Sequence, residues 1–84
     1  MKEVVFTKYS KESMRKRGVL EEEVKIAISK ASWQPSKWGR LECTLEFQYD
    51  KEWNGKFYHT KQVVPVFVEE ETRIVIITVY AFYF

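Results

Sequence analysis

The sequence has one cysteine, one histidine, three glycines and two prolines, and these shortages limit what the chain can be. With Cys43 alone, the chain forms no internal disulfide and holds no multi-cysteine metal site, so a reducing cytoplasm is the expected location. The scarcity of glycine and proline argues against disorder. No glycine-rich phosphate loop is present. We therefore expect neither a metal nor another cofactor.

Long apolar segments are also missing. The longest uncharged run, residues 74–84, has eleven residues, whereas a membrane-spanning helix needs about 20. The N-terminus leads into a short strand pattern and not into the apolar segment of a signal peptide. At 84 residues we expect a single domain, residues 1–84, that does not associate with a membrane.

The net charge is low, at +2, but it is unevenly distributed. Residues 1–40 hold ten Lys or Arg against five Glu, and residues 41–84 hold four Lys or Arg against seven Asp or Glu. Such asymmetry is typical of a basic layer that binds phosphate or an acidic partner, and equally of a solvated pair of helices. Charge alone leaves both interpretations open.

The C-terminal segment is the strongest strand signal. From Ile74 to Tyr80 every residue is β-branched or aromatic, which favours a strand over a helix. Apolar residues occupy odd and even positions alike, so both faces of this strand are expected to be covered. We predict a central strand over residues 74–84, because an edge strand of this composition would promote aggregation.

Two helices are predicted in the N-terminal half. After a short strand over residues 3–7, Thr7 or Ser10 caps a helix that ends near Arg17, and Gly18 supplies the positive φ that stops it. This helix is the most basic element, and its expected packing residues are Tyr9 and Met14. A second helix begins at three glutamates, residues 21–23, and ends near Ser32. Its apolar stripe is Val24, Ala27, Ile28 and Ala31.

A hairpin is predicted beyond a loop over residues 33–39. Residues 41–49 alternate between apolar and polar, and Asn54-Gly55 is the signature of a type I′ turn. The turn places Trp53 opposite Lys56. Counting back from that pair, Leu41, Cys43 and Leu45 face Val68, Val66 and Val64. On the solvent face, Asp50 is paired with His59 and Gln48 with Lys61.

The element order is thus β-α-α-β-β-β. It predicts an α+β fold in which two helices pack on one face of an antiparallel sheet.

Several segments resemble a family of small prokaryotic domains of unknown function. The resemblance rests on residues 9–24, on the hairpin segments 55–58 and 63–70, and on the final strand 76–80. Tyr9 and Ser13 depart from it, since the family usually has histidine and arginine there. The family is similar in layout to the RelE/ParE/BrnT toxins, which implies a helical hairpin on a curved sheet. It also implies an RNA-cleaving toxin neutralised by an antitoxin-like partner.

The residues offer a candidate site for metal-independent RNA cleavage, which needs a base, an acid and cations for the phosphorane charge. His59 is the only side chain that ordinarily titrates near neutrality. The candidate catalytic residues are His59, Lys61 and Arg17, and the candidate RNA-binding residues are Arg15, Lys16, Tyr58 and Tyr83. Each also has a structural interpretation: His59 as a surface residue, Arg17 as a complement to the helix C-terminus, and the tyrosines as core packing.

Three functions therefore stay open from the sequence. The first is a toxin-type endoribonuclease, and the second is a non-catalytic module that binds RNA or a protein. The third is an obligate homodimer that buries its C-terminal strand between subunits.

Overall fold

The computed structural model describes residues 2–84. In chain order, the elements are β1 (Glu3–Phe6), α1 (Lys8–Arg17), α2 (Glu21–Lys30), β2 (Gln34–Pro35), a 3₁₀ turn (Lys37–Gly39), β3 (Leu41–Glu42), β4 (Leu45–Trp53), β5 (Lys56–Glu69) and β6 (Arg73–Tyr83). The α+β class is confirmed. Helix α1 packs against β6 and α2 against β5, and one core cluster joins both helices to the sheet.

The sheet is mixed. Its strand order is β1-β6-β5-β3-β2, with β4 also paired to β5. β1 runs parallel to β6, with Glu3 opposite Arg73 and Phe6 opposite Ile76. The prediction of a wholly antiparallel sheet is wrong at this one pair, because residues 3–7 carry no signal for which strand they would join. All other strand pairs are antiparallel.

The hairpin turn forms as predicted. Asn54 and Gly55 have φ values of 52° and 83°, and Trp53 lies opposite Lys56. The register then shifts at a bulge, where Asp50 takes a φ of 50°. An extra residue in one strand of a pair displaces every later partner by one position.

The predicted pairs beyond the bulge are therefore wrong by one residue. Leu45 lies opposite Val63, and Gln48 lies opposite Thr60. Lys61 lies opposite Phe47, which moves it from the expected solvent face to the buried face. The pairing slip thus changes the environment of one of the proposed catalytic residues.

Pro65 divides the strand that β3 and β4 would otherwise form. The amide of Cys43 donates to the carbonyl of Pro65 at 3.3 Å, so this side of Pro65 faces β3 and β4. Because proline has no N–H to return a bond, the ladder is interrupted at residues 43–44. Pairing resumes on either side, at Glu42 opposite Val66 and at Leu45 opposite Val63.

β6 is central only in its first half. β1 pairs with its edge over residues 73–76. From Ile76 onward, hydroxyl groups of Thr7 and Ser13 form hydrogen bonds with the backbone at this edge. Thr7 Oγ1 donates to the carbonyl of Ile76 at 2.8 Å, and Ser13 Oγ lies 2.9 Å from the carbonyl oxygen and 3.1 Å from the amide of Val79. The expectation that both faces are covered is wrong for three residues, Tyr80, Phe82 and Phe84, which are 43%, 53% and 57% exposed.

Helix α1 begins and ends where its sequence indicates. Thr7 Oγ1 accepts from the amide of Ser10 at 3.1 Å, and Gly18 takes the left-handed conformation that ends the helix. A side chain at Gly18 would strike the ring of Trp53, with only 2.5 Å to its nearest atom, so only glycine fits. Met14 is buried as expected, but Tyr9 is 69% exposed, so its expected packing role is wrong.

Helix α2 supplies the largest part of the helical core. Val24, Ala27 and Ile28 are buried, and Ala31 packs against the same cluster from just beyond the helix end. Trp33 closes this end of the core, because its ring meets Phe67 edge-on at 5.0 Å. No helix within residues 2–84 is long and apolar enough to cross a membrane.

Candidate nucleic-acid interface

His59 lies beside the β4 bulge with a carboxylate partner. Its Nδ1 is 2.8 Å from Oδ1 of Asp50, and Gln48 Nε2 donates to the other oxygen of Asp50 at 2.7 Å. These hydrogen bonds hold the pKa of Asp50 below its usual value, and the one from Gln48 has the largest effect. The predicted strand pairing of Asp50 with His59 does not form, because the bulge falls between Gln48 and Lys51, but the two side chains are in contact. The His59 side chain is 79% exposed, as a surface residue would be.

Lys61 is buried, and its ammonium donates two hydrogen bonds. Its Nζ donates to the carbonyl of Gly18 at 2.5 Å and to Oε1 of Glu23 at 2.7 Å, and the residue is only 3% exposed. Glu23 Oε1 also accepts from the amide of Leu20 at 2.9 Å. A lysine held this way joins the hairpin to the junction between α1 and α2. The expectation of a solvent-facing Lys61 is therefore wrong.

Tyr83 sits among aromatic rings next to Lys61. Trp53 stacks on it at 5.1 Å between centroids, Tyr49 meets it edge-on at 5.2 Å, and Tyr58 lies tilted at 5.8 Å. Its hydroxyl donates to the carbonyl of Arg17 at 2.5 Å. Burial raises the pKa of Tyr83 to about 12. These contacts match the packing interpretation of Tyr83.

The basic residues of α1 divide between two environments. The guanidinium carbon of Arg17 lies 5.3 Å from the centroid of the Tyr80 ring, a cation–π distance. Arg15 and Lys16 are exposed, and Lys16 lies 3.8 Å from Glu12 in a weak surface pair.

The proposed catalytic residues do not share one set of contacts. His59 and Lys61 are two positions apart on β5, but His59 meets Asp50 whereas Lys61 meets Glu23 and Gly18. The Arg17 guanidinium lies at Tyr80, which belongs to a different part of the sheet. Among the described residues, the structure thus links Lys61, Tyr58 and Tyr83 in the aromatic cluster and leaves His59 with its own partners.

A second surface, which sequence reasoning missed, lies on the sheet face opposite the helices. Tyr80, Phe82 and Phe84 alternate along β6 and its extension, so their side chains leave the sheet on the same face. All three side chains are exposed. Successive rings are spaced by two residues, roughly 7 Å along the strand. The period-two spacing of these aromatics was present in the sequence, but the apolar residues between them concealed it.

A groove opens at one end of this aromatic row. Its volume is about 490 Å³. Glu42, Val66 and Thr78 form its floor, because they are direct partners across three neighbouring strands. Tyr80 lines the β6 side, and the segment between β2 and β3 lines the other side through Pro35, Ser36, Lys37, Trp38 and Arg40.

Trp38 is the most exposed large apolar residue of this surface. It is 83% exposed and has a φ of 57°, a left-handed conformation that bulky residues rarely adopt. The turn is held by two backbone hydrogen bonds, from the Ser36 amide to the Arg40 carbonyl at 2.8 Å and from the Arg40 amide to the Lys37 carbonyl at 3.2 Å. The guanidinium carbon of Arg40 lies 5.5 Å from the centroid of the Trp38 indole. A strained residue held outward in this way is typical of a binding site.

Cys43 has no features of a reactive thiol. It is buried, and desolvation together with the charge of Glu42 raises its pKa to about 11. A thiol with a raised pKa is a poor nucleophile at neutral pH. Within residues 2–84, no group of three or more His, Cys, Asp or Glu side chains is placed to hold a metal ion.

Compared with known proteins, the chain matches no family model, no curated protein and no solved structure at a significant level.

Proposed function

We propose that this chain binds single-stranded RNA on the sheet face opposite its helices. The observation that carries the proposal is the row of exposed rings on that face, Tyr80, Phe82 and Phe84, with Trp38 across the groove. Single-stranded nucleic acid is held by aromatic side chains on which bases stack, next to cations that follow the backbone.

The positions of three cations support this mode of binding. Arg17 lies over Tyr80 and Arg40 over Trp38, and Lys37 also lines the groove. None of these three forms an ion pair within 4.0 Å in the described chain, residues 2–84. Their charges are therefore available to phosphate groups.

The affinity for a labelled single-stranded oligouridine tests the proposal. We expect Trp38→Ala and Tyr80→Ala each to weaken binding about 5- to 150-fold, since stacking contributes about 1–3 kcal/mol per base. Phe57→Ala is the matched control, because Phe57 is an exposed ring at the hairpin, outside the groove and the β6 row. Equal losses in all three variants, or no binding by the native chain, would contradict the proposal.

The salt dependence of binding tests the role of the cations. Each phosphate contact on a single strand contributes a slope of about −0.7 to the dependence of log K on log salt. We expect Arg40→Ala to reduce the slope by about that amount. Lys25→Ala removes the same charge from the exposed surface of α2 and is expected to leave the slope nearly unchanged.

A second candidate is a toxin-type endoribonuclease, and the His59–Asp50 pair favours it. Asp50 holds Nδ1 of His59, which leaves Nε2 to accept the proton of a ribose 2′-hydroxyl. An antitoxin-like protein partner belongs to this candidate. It predicts growth arrest on expression that His59→Ala relieves, together with RNA cleavage in vitro that the same change abolishes. Intact RNA after incubation with the native chain would exclude it.

A further inference from the structure

Glu42 is the one acidic residue that lines the groove. It is half-buried on the floor, next to Val66. Its carboxylate makes no hydrogen bond or ion pair with residues 2–84 and is open to solvent, since no buried side-chain oxygen of these residues lacks a partner. The other charged residues of the groove, Lys37 and Arg40, are cations. A carboxylate that is free on the groove floor can accept hydrogen bonds from a ligand that brings its own donors.

We propose that the groove binds a guanine base of single-stranded RNA and that Glu42 reads its Watson–Crick edge. The proposal rests on the proposed function and names the base that the groove prefers. A carboxylate accepts hydrogen bonds and donates none. Guanine presents two adjacent donors, N1–H and N2–H₂, which match the two oxygens of one carboxylate.

The other bases fit this acceptor less well. Adenine and cytosine place an amino donor next to a ring nitrogen that is itself an acceptor, so one oxygen of Glu42 would face a lone pair. Uracil has one N3–H between two carbonyl oxygens. Each of these bases can satisfy the carboxylate with at most one hydrogen bond, and a good bidentate contact discriminates by about 1–3 kcal/mol in nucleic-acid recognition.

The groove also suits a base in size and in lining. Its volume of about 490 Å³ lies within the range of small-molecule pockets. Val66 gives the floor an apolar centre, and the rings of Trp38 and Tyr80 line its two sides. Arg40 and Arg17 lie over those rings, where they can meet the phosphates on either side of the bound nucleotide. The occupant therefore belongs to a chain of nucleotides and is not a free base.

Four short oligouridines, one unchanged and three carrying a single central G, A or C, test the proposal by their dissociation constants. We expect the G-containing strand to bind about tenfold more tightly than the other three. Glu42→Gln should abolish this preference, because an amide presents one donor and one acceptor. Glu52→Gln removes the same charge at an exposed hairpin position and should keep the preference.

Several outcomes would overturn the proposal. Equal affinity for all four strands would show that the groove does not select guanine, although the chain would still bind single-stranded RNA. A preference for guanine that remains in Glu42→Gln would mean that a residue other than Glu42 recognises the base. Guanosine monophosphate binding as tightly as the G-containing strand would assign the groove to a free nucleotide. Absence of binding to every strand would reject both this inference and the proposed function. Circular dichroism of each variant separates a lost contact from a lost fold.

Discussion

Lys61 connects the two layers of the molecule through one buried charge. It reaches from β5 to Glu23 on α2 and to the carbonyl of Gly18 at the end of α1. Its ammonium also lies 5.7 Å from the Tyr49 ring and 5.9 Å from the Tyr83 ring. Removing one partner of a buried pair leaves the other charge poorly solvated, which costs more than the pair itself contributes.

We therefore predict that Lys61→Ala lowers the free energy of unfolding by about 3 kcal/mol, because the Glu23 carboxylate and the Gly18 carbonyl lose their donor. Urea denaturation measures this change. Lys56→Ala, on the same strand but exposed, is the control and should stay within about 0.5 kcal/mol. A small effect of Lys61→Ala on stability, together with loss of RNA cleavage, would instead return Lys61 to a catalytic role.

Tyr83 makes stability depend on pH at the alkaline end. Its pKa in the folded chain is about 12, against an ordinary value of 10.0. The unfolded chain therefore releases this proton first, and the contribution of Tyr83 is complete below pH 10.0 and is lost as the pH rises towards 12. Tyrosinate absorbance should show a late titration step in the native protein that is lost in Tyr83→Phe. A native titration without that late step would contradict the packing described for Tyr83.

Helix α1 covers the part of the β6 edge that has no neighbouring strand. Ser13 is buried, and its hydroxyl bonds both backbone groups of Val79 and meets Thr78 Oγ1 at 3.2 Å. An unpaired strand edge promotes aggregation, and here a helix side chain covers it.

Ser13→Ala is predicted to lower the free energy of unfolding by about 1–3 kcal/mol, since two backbone groups of Val79 lose their partner. Ser29→Ala, at an exposed position of α2, is the matched control and should change stability little. The midpoints of urea denaturation compare the two variants. Equal midpoints would mean that water replaces the hydroxyl at this edge.

Local sequence signals predicted the helices, strands and turns better than they predicted the register between paired strands. Gly18 and Asn54-Gly55 specify a helix stop and a turn by their own chemistry, and both occur where predicted; the helix cap is Thr7, one of the two residues predicted for it. The bulge at Asp50 depends on a backbone conformation that aspartate tolerates but does not require. A register counted from the turn could not detect this bulge. The burial of Lys61 follows from the register shift that the bulge causes.

The two sides of the sheet have different chemistry. The helices cover one side with an apolar core, whereas the other side presents aromatic rings and unpaired cations. The sequence predicted the α+β class and the buried stripe of α2 from periodicity. It could not predict the open face, because the groove combines residues from the segment between β2 and β3 with residues of β6 that are distant in the chain.

Nuclear magnetic resonance mapping of the native chain, during titration with a single-stranded oligonucleotide, tests RNA binding on the open face of the sheet. We expect shifts in the indole N–H of Trp38 and in the amides of Tyr80, Phe82 and Phe84. The amides of Lys25 and Ser29, on the exposed side of α2, should not move. Shifts confined to the helices, or to His59 and its neighbours, would contradict binding on the open face of the sheet.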